Sequence, residues 1–274
     1  MRLAGHRGAP AWSPENTLAS FAKALELGAQ ALEFDVHLTA DGRLAVIHDA
    51  TLDRTTNGVG RVADVTLEDI QRLRTDGGER VPSMDQVLDL AAGKAFLHVE
   101  VKDPSALRPA VDLLRARRLL DSARISSFWH GALRESKAVE PGLQTGVLFS
   151  AAPIRPAALA LDAGADALHV CHTYITESLV AEARSHGLQV LGWTAQSAAD
   201  VGRLFHLGVD EIVTDDPGMA RQVLAHLAAP AAPPRPRSPE ELRMDAERAS
   251  IQALMKSRPG DAGTPREPGK KPSW

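Results

Sequence analysis

The 274-residue sequence predicts an α/β fold: a (β/α)₈ TIM barrel over residues 1–227, with a short insertion between strands two and three and a disordered tail over 228–274. Three observations predict it. Helix and strand patterns alternate along the body. One joint recurs, a helix end, a Gly and an apolar strand, in "ALELGAQALEFDV", "ALDAGADALHV", "ARSHGLQVLGW" and "LFHLGVDEIVTD". Glycine suits the position past a helix end because it tolerates a left-handed backbone, and the last three joints, at Gly164, Gly187 and Gly208, are spaced by 23 and 21 residues, about one helix–loop–strand unit. Finally, eight strands can be counted, near 2–6, 31–37, 96–102, 123–127, 144–148, 166–170, 188–193 and 210–214.

Helices are expected near 14–27, 105–118, 176–186, 197–206 and 217–226. Ser13 is the expected N-cap of the first, with Pro14 in its opening turn. A doubly wound open sheet is the competing fold, but the first βα turn lacks the glycine-rich dinucleotide fingerprint. Residues 49–95 form the insertion. Beyond residue 227 the chain is dense in Pro, Ala, Arg and Lys, a composition that favours extended, solvated chain. Within it a short helix is expected over 239–256, capped by Ser238.

Composition narrows the functional classes. The net charge of −4 argues against a nucleic-acid partner. No apolar run reaches the roughly 18 residues a membrane span needs, so no stable membrane association is expected. The single cysteine, Cys171, excludes an internal disulfide and fits a reducing compartment. The first strand begins almost at Met1, leaving no room for a signal peptide, so a cytoplasmic location is expected.

The second strand, "ALEFDVHL", alternates. Leu32, Phe34, Val36 and Leu38 share one face; Glu33, Asp35 and His37 share the other. With the apolar face under the helices, the carboxylates point into the barrel, where an uncompensated charge costs several kcal/mol. The third strand repeats the pattern in "AFLHVEVK", with His98, Glu100 and Lys102 on one face. Three inward carboxylates on adjacent strands suit a hard cation such as Mg²⁺ or Ca²⁺, with Mn²⁺ also admissible. The alternative from spacing alone is a metal-free network neutralised by Arg7 and Lys102.

In "VHLTADGRLAVIHD" a tight hairpin about Asp41-Gly42 would place His48 opposite Asp35, paired residue numbers summing to 83. His6 and Arg7 end the first strand, between Gly5 and Gly8, which allow close backbone approach. Two histidines permit acid and base roles near neutral pH, and Arg7 and Lys102 suit the oxygens of a phosphate diester. No Ser-His-Asp arrangement or activated cysteine is evident, so phosphodiester cleavage fits better than acyl transfer or redox chemistry.

At these residues the sequence resembles the glycerophosphodiester phosphodiesterase family. The similarity runs through "GHRGAP", "PENT", "EFDVHLTADGRLAVIHDATLDRTTNGVG", "VPSMDQVL", "HVEVK", "SSF", "GWT" and "LGVDEIVTDDP", between residues 5 and 217. The resemblance implies a (β/α)₈ barrel, a divalent metal held by Glu33, Asp35 and Glu100, acid/base histidines His6 and His48, and phosphate contacts from Arg7 and Lys102. It implies hydrolysis of glycerophosphodiesters, such as glycerophosphocholine or glycerophosphoethanolamine, to sn-glycerol 3-phosphate and an alcohol. The family route is attack by the substrate's own glycerol hydroxyl, giving a cyclic phosphate that water opens. Glu15 is expected to orient Arg7 or a metal-site group. Phe128, Trp129 and Trp193 are the expected pocket residues. Two positions depart from the family pattern: Trp129 replaces an acid after the fourth strand, and "WTAQS" replaces a sequence close to "WTVN". The alternatives are lysophospholipase D-type cleavage of lysophospholipids and a non-catalytic binder of phosphate ligands.

Overall fold

The computed structural model describes residues 1–229 and 238–256, and the chain divides into a unit spanning Met1–Ala229 and a second spanning Pro230–Trp274. In the first unit, strands β1 (Arg2–His6), β2 (Ala31–Leu38), β4 (Phe96–Val101), β5 (Ala123–Ser127), β6 (Gln144–Phe149), β7 (Ala167–Cys171), β8 (Gln189–Ala195) and β9 (Glu211–Thr214) run parallel. Pairing of β1 with both β2 and β9 closes them into the barrel. Strand β3 (Leu44–Val46) lies outside the closed ring, antiparallel to β2.

The helices that flank the barrel are α1 (Leu18–Glu26), α4 (Leu107–Ala116), α5 (His130–Val139), α6 (Pro156–Ala163), α7 (Glu177–Ser185), α8 (Ala198–Leu207) and α9 (Pro217–Ala228). The insertion supplies α2 (Leu67–Arg72) and α3 (Met84–Ala91), and α3 also flanks the barrel, with Met84, Val87, Leu88 and Ala91 in the barrel's core. Each barrel strand turns its apolar side outward under these helices. Phe34 of β2 meets Phe21 of α1 edge to face at 5.9 Å, both fully buried. Burying such a side chain contributes about 1.5–3 kcal/mol. The insertion packs a small core of its own onto the hairpin, with Leu52, Val62, Leu67, Ile70 and Val81 against Ala45 and Ile47.

Two local expectations are corrected. The first helix begins at Leu18, not after Ser13, and its N-cap is Thr17, whose hydroxyl accepts from Ser20 N at 3.1 Å. Asn16 explains the delay. Its φ of +55° is incompatible with a right-handed helix, and its amide donates to Asp35 Oδ2 at 2.8 Å. The hairpin pairs Val36 with Val46 and Leu38 with Leu44, so residue numbers sum to 82, not 83. The loop carries three central residues, with Gly42 at φ +73° and its N–H on Thr39 O at 3.0 Å.

In the second unit, α10 spans Pro239–Lys256, and Ser238 Oγ accepts from Glu241 N at 3.2 Å. The expectation of disorder over 230–237 and 257–274 lies outside the described residues. Among the described residues no helix is long and apolar enough to cross a membrane.

Candidate active site

Strand register sets the centre of the site. Asp35 of β2 is the direct partner of Glu100 on β4, and Glu33 is the partner of His6 on β1. The period of two along β2 puts both of its acids inside the barrel. Carboxylate oxygens of Glu33, Asp35 and Glu100 consequently lie within 4.8 Å of one another. Lys102, just past β4, places Nζ 2.5 Å from Glu100 Oε1 and 3.5 Å from Asp35 Oδ1. Arg7 brings Nε to 3.2 Å from Asp35 Oδ2.

Three acids against two cations leave the cluster electrostatically incomplete. Burial, then the neighbouring charges of Asp35 and Glu100, hold the Glu33 carboxyl well above the usual carboxylate range. Burial and Asp35 push Glu100 up to about 7, against the opposing pull of Lys102. Burial also works against ionised Asp35, but Lys102, Arg7 and His48 together outweigh it and hold its carboxyl low. Asp35 Oδ1 is buried without a hydrogen-bond partner. A buried carboxylate oxygen without a hydrogen-bond donor, on a residue clustered with two acids that resist ionisation, suits a hard divalent cation, so the three residues fit a metal.

The His6–Arg7 turn is tightly held. Arg7 has φ +51°, an uncommon value for a side-chain-bearing residue. Its N–H donates to Glu33 Oε2 at 3.0 Å, and its carbonyl accepts from Asn16 N and Ser20 Oγ, each at 3.0 Å. A Cβ on Gly5 would lie 2.3 Å from Gly8 O, and one on Gly8 would lie 2.4 Å from Ser20 Oγ. Both glycines are therefore required by close approach.

Each site histidine leans on an aspartate. His6 Nδ1 is 2.7 Å from Asp215 Oδ1, and His48 Nδ1 is 2.6 Å from Asp49 Oδ1. Burial raises Asp215, but its bond and charge interaction with His6 outweigh it; Arg54 leads the groups that hold Asp49 low. Ionised carboxylates only accept, so each imidazole donates from Nδ1 to its aspartate, and Nε2 is the ring nitrogen left for exchange. Burial, then the nearby cations Lys102 and Arg7, hold His48 below its ordinary value despite Asp35 and Asp49. His37 donates from Nε2 to the His48 carbonyl at 3.0 Å.

The corrected hairpin register does not remove His48 from the site. The ladder ends at Val46, Ile47 N donates to Asp35 O at 3.1 Å, and the chain then bends so that His48 lines the cavity with His6, Arg7, Glu33, Glu100 and Lys102. Phe128 and Trp193 form part of the same wall, their rings edge to face at 6.1 Å. Trp129 does not line it. Its indole donates from Nε1 to Lys102 O at 3.2 Å, on the rim. Glu15 accepts from Arg7 Nη1 at 2.9 Å. His98, of the inward stripe on β4, instead pairs with Glu211 at 2.7 Å in the barrel interior.

Residues the sequence reading passed over include Asp49, Asp215, Asn16, Arg54 and the cavity-lining His169. For Asp215 a signal existed. It follows the last strand, and barrel closure brings that strand beside the first.

Comparison with known proteins decides the family. The model of the glycerophosphoryl diester phosphodiesterase family matches residues 6–219. The chain belongs to this family. The phosphodiesterase is 40% identical over 225 residues to a glycerophosphodiester phosphodiesterase of Caldanaerobacter subterraneus subsp. tengcongensis, covering 77% of this chain and 93% of that one. Its fold matches, with a TM-score of 0.77 and 25% identity, an Oleispira antarctica phosphodiesterase solved with the product sn-glycerol-3-phosphate, covering 82% of this chain and 97% of that one. It matches a glycerophosphodiester phosphodiesterase of Agrobacterium tumefaciens with a TM-score of 0.71 and 28% identity, covering 81% and 99%. The phosphodiesterase thus carries its family's TIM barrel, and its acid cluster lies at the C-terminal mouth where such barrels hold their active sites.

Proposed function

We propose that the enzyme hydrolyses glycerophosphodiesters, such as glycerophosphocholine and glycerophosphoethanolamine, to sn-glycerol 3-phosphate and an alcohol, with a divalent cation held by Glu33, Asp35 and Glu100. The observation that carries this reading is the acid triad, with Asp35 Oδ1 buried and without a hydrogen-bond donor, flanked by two histidine–aspartate pairs. A Mg²⁺, Ca²⁺ or Mn²⁺ ion there would supply Lewis acidity toward an attacking hydroxyl and the phosphoryl oxygens.

The remaining work falls to side chains. Arg7 and Lys102 face the non-bridging oxygens as fixed positive charges. One histidine accepts, at Nε2, the proton of the substrate's own glycerol hydroxyl as its oxygen bonds to phosphorus; the other, protonated on both nitrogens, delivers its Nε2 proton to the departing alcohol oxygen as that P–O bond breaks, and with the two roles reversed water then opens the cyclic phosphate to glycerol 3-phosphate. Asp215 and Asp49 each accept from a ring Nδ1, which leaves Nε2 for these transfers, and Glu15 orients Arg7. Phe128 and Trp193 lie against the non-reacting part of the substrate. The substrate is a small molecule met in the cytoplasm, without a nucleic-acid partner or stable membrane attachment; the net charge of −4 and the single cysteine support this.

The deciding experiment is release of glycerol 3-phosphate from glycerophosphocholine by purified protein, with and without chelator. Activity that survives chelation, or survives Glu33→Ala, overturns the metal reading. A second substrate class, lysophospholipids, is favoured by one observation: Phe128, Leu148, Leu191, Trp193 and Val213 give the cavity an apolar wall. A panel comparing glycerophosphocholine with lysophosphatidylcholine separates the two by their kcat/KM values.

A further inference from the structure

Arg54 does not line the active-site cavity, yet it is bonded to both sides of it. Its guanidinium makes two bidentate pairs. Nε and Nη2 reach Asp49 Oδ2 and Oδ1 at 2.7 and 3.0 Å; Nη1 and Nη2 reach Glu15 Oε2 and Oε1 at 3.1 and 2.8 Å. Asp49 Oδ1 is also the partner of His48 Nδ1 at 2.6 Å, and Glu15 Oε1 is also the partner of Arg7 Nη1 at 2.9 Å. An unbroken line of charged hydrogen bonds therefore runs His48–Asp49–Arg54–Glu15–Arg7.

The insertion holds the middle of that line in place. Leu52 is 2% exposed within the insertion's own core. Thr56 donates to Leu52 O from both N and Oγ1, at 3.1 and 2.7 Å, closing a turn around Arg54. Without the guanidinium, Asp49 and Glu15 lose their shared cation and repel. Asp49 is then free to release the His48 ring, and Glu15 to pull Arg7 away from the cavity. A lysine cannot replace it, because an ammonium lacks the planar fork that grips two carboxylates at once.

We infer that Arg54 is a positioning residue, through which the insertion sets His48 and Arg7 together for the reaction. The inference rests on the proposed roles of those two residues. The test uses the full chain, glycerophosphocholine and saturating divalent cation, with wild type, Arg54→Ala, Arg54→Lys and His48→Ala compared by kcat, KM and melting temperature. For Arg54→Ala, kcat is expected to fall about 10- to 100-fold, the usual loss when a group orienting a site ligand is removed, with a smaller change in KM. The melting temperature should stay within a few degrees of wild type. Arg54→Lys should recover little, while added guanidinium ion should restore part of the rate to Arg54→Ala.

Unchanged kcat in Arg54→Ala, full activity in Arg54→Lys, or a rise confined to KM overturns the inference. So does a loss that only tracks a lower melting temperature. Should Arg54→Ala fail to fold, Arg54→Lys decides by its kcat. Wild-type activity in His48→Ala overturns the catalytic reading and this inference with it; an inactive His48→Ala beside a fully active Arg54→Ala overturns the inference alone.

Discussion

Asp215 Oδ1 lies 2.7 Å from His6 Nδ1, so a residue just past the last barrel strand orients the side chain that ends the first. Gln196 holds the other oxygen, with Nε2 at 3.3 Å from Asp215 Oδ2. Asp215→Asn keeps the shape but offers an amide that can donate, which permits the wrong imidazole tautomer. The expected result is a fall in kcat of about 10²- to 10⁴-fold, by analogy with the same change in a Ser-His-Asp triad, with little change in KM. Steady-state kinetics of glycerol 3-phosphate release check it.

Glu100→Gln trades activity for stability. The amide removes one of three mutually repelling acids and keeps a group that can still bond Lys102. Activity should be lost with the metal site. In chelator at pH 8 the variant should be more stable than wild type by about 1–3 kcal/mol, which is roughly 2–4 °C in melting temperature per kcal/mol for a chain of this size. Thermal melts of the two proteins in chelator measure it.

The pH dependence of the metal-free protein follows from the same acids. Glu100 is raised to about 7 in the folded chain from an ordinary 4.5, and Glu33 is also raised. Between 4.5 and about 7 the folded state therefore binds more protons than the unfolded one. Their contribution to stability is present at low pH and lost as pH rises through about 7. The melting-temperature gap between Glu100→Gln and wild type should consequently widen from pH 5.5 to pH 8 in chelator. Saturating Mg²⁺ or Ca²⁺ should stabilise wild type more at pH 8 than at pH 5.5. At pH 6 binding should release protons, which calorimetry in buffers of different ionisation enthalpy detects.

Gly5→Ala tests the turn that carries His6 and Arg7. The new Cβ would stand 2.3 Å from a backbone oxygen, Gly8 O, and 2.9 Å from Ala24 Cβ. Neither neighbour is the free end of a flexible side chain, so the turn must move. The expected cost is about 1–3 kcal/mol, read as a lower melting temperature, together with a loss of kcat as His6 shifts. A stable and fully active Gly5→Ala would contradict the close approach.

Much of the site was legible because a strand repeats every two residues. That period alone turns Glu33 and Asp35 inward and sets Glu100 beside them, and the parallel register then pairs Asp35 with Glu100. The hairpin was less legible. "ADG" accommodates two- and three-residue loops, and the choice fell to the three-residue form, with Thr39 N bonded to Arg43 O at 2.9 Å. The start of α1 was not legible in "SPEN", whose local capping chemistry is good, because Asn16 spends its amide on Asp35, nineteen residues away.

The sequence by itself determined the barrel, its closed order of alternating elements, the inward acids and the family, because each is written in short-range periodicity or in contiguous motifs. Tertiary structure alone decided which aspartate holds which histidine, that Trp129 stands on the rim, and that Arg54 spans Glu15 and Asp49. Those relations join residues such as His6 and Asp215, 209 positions apart, or depend on how a loop bends after its last ladder bond. No local pattern encodes them. They exist only once burial of the strands' outer faces has closed the barrel and brought its first and last strands side by side.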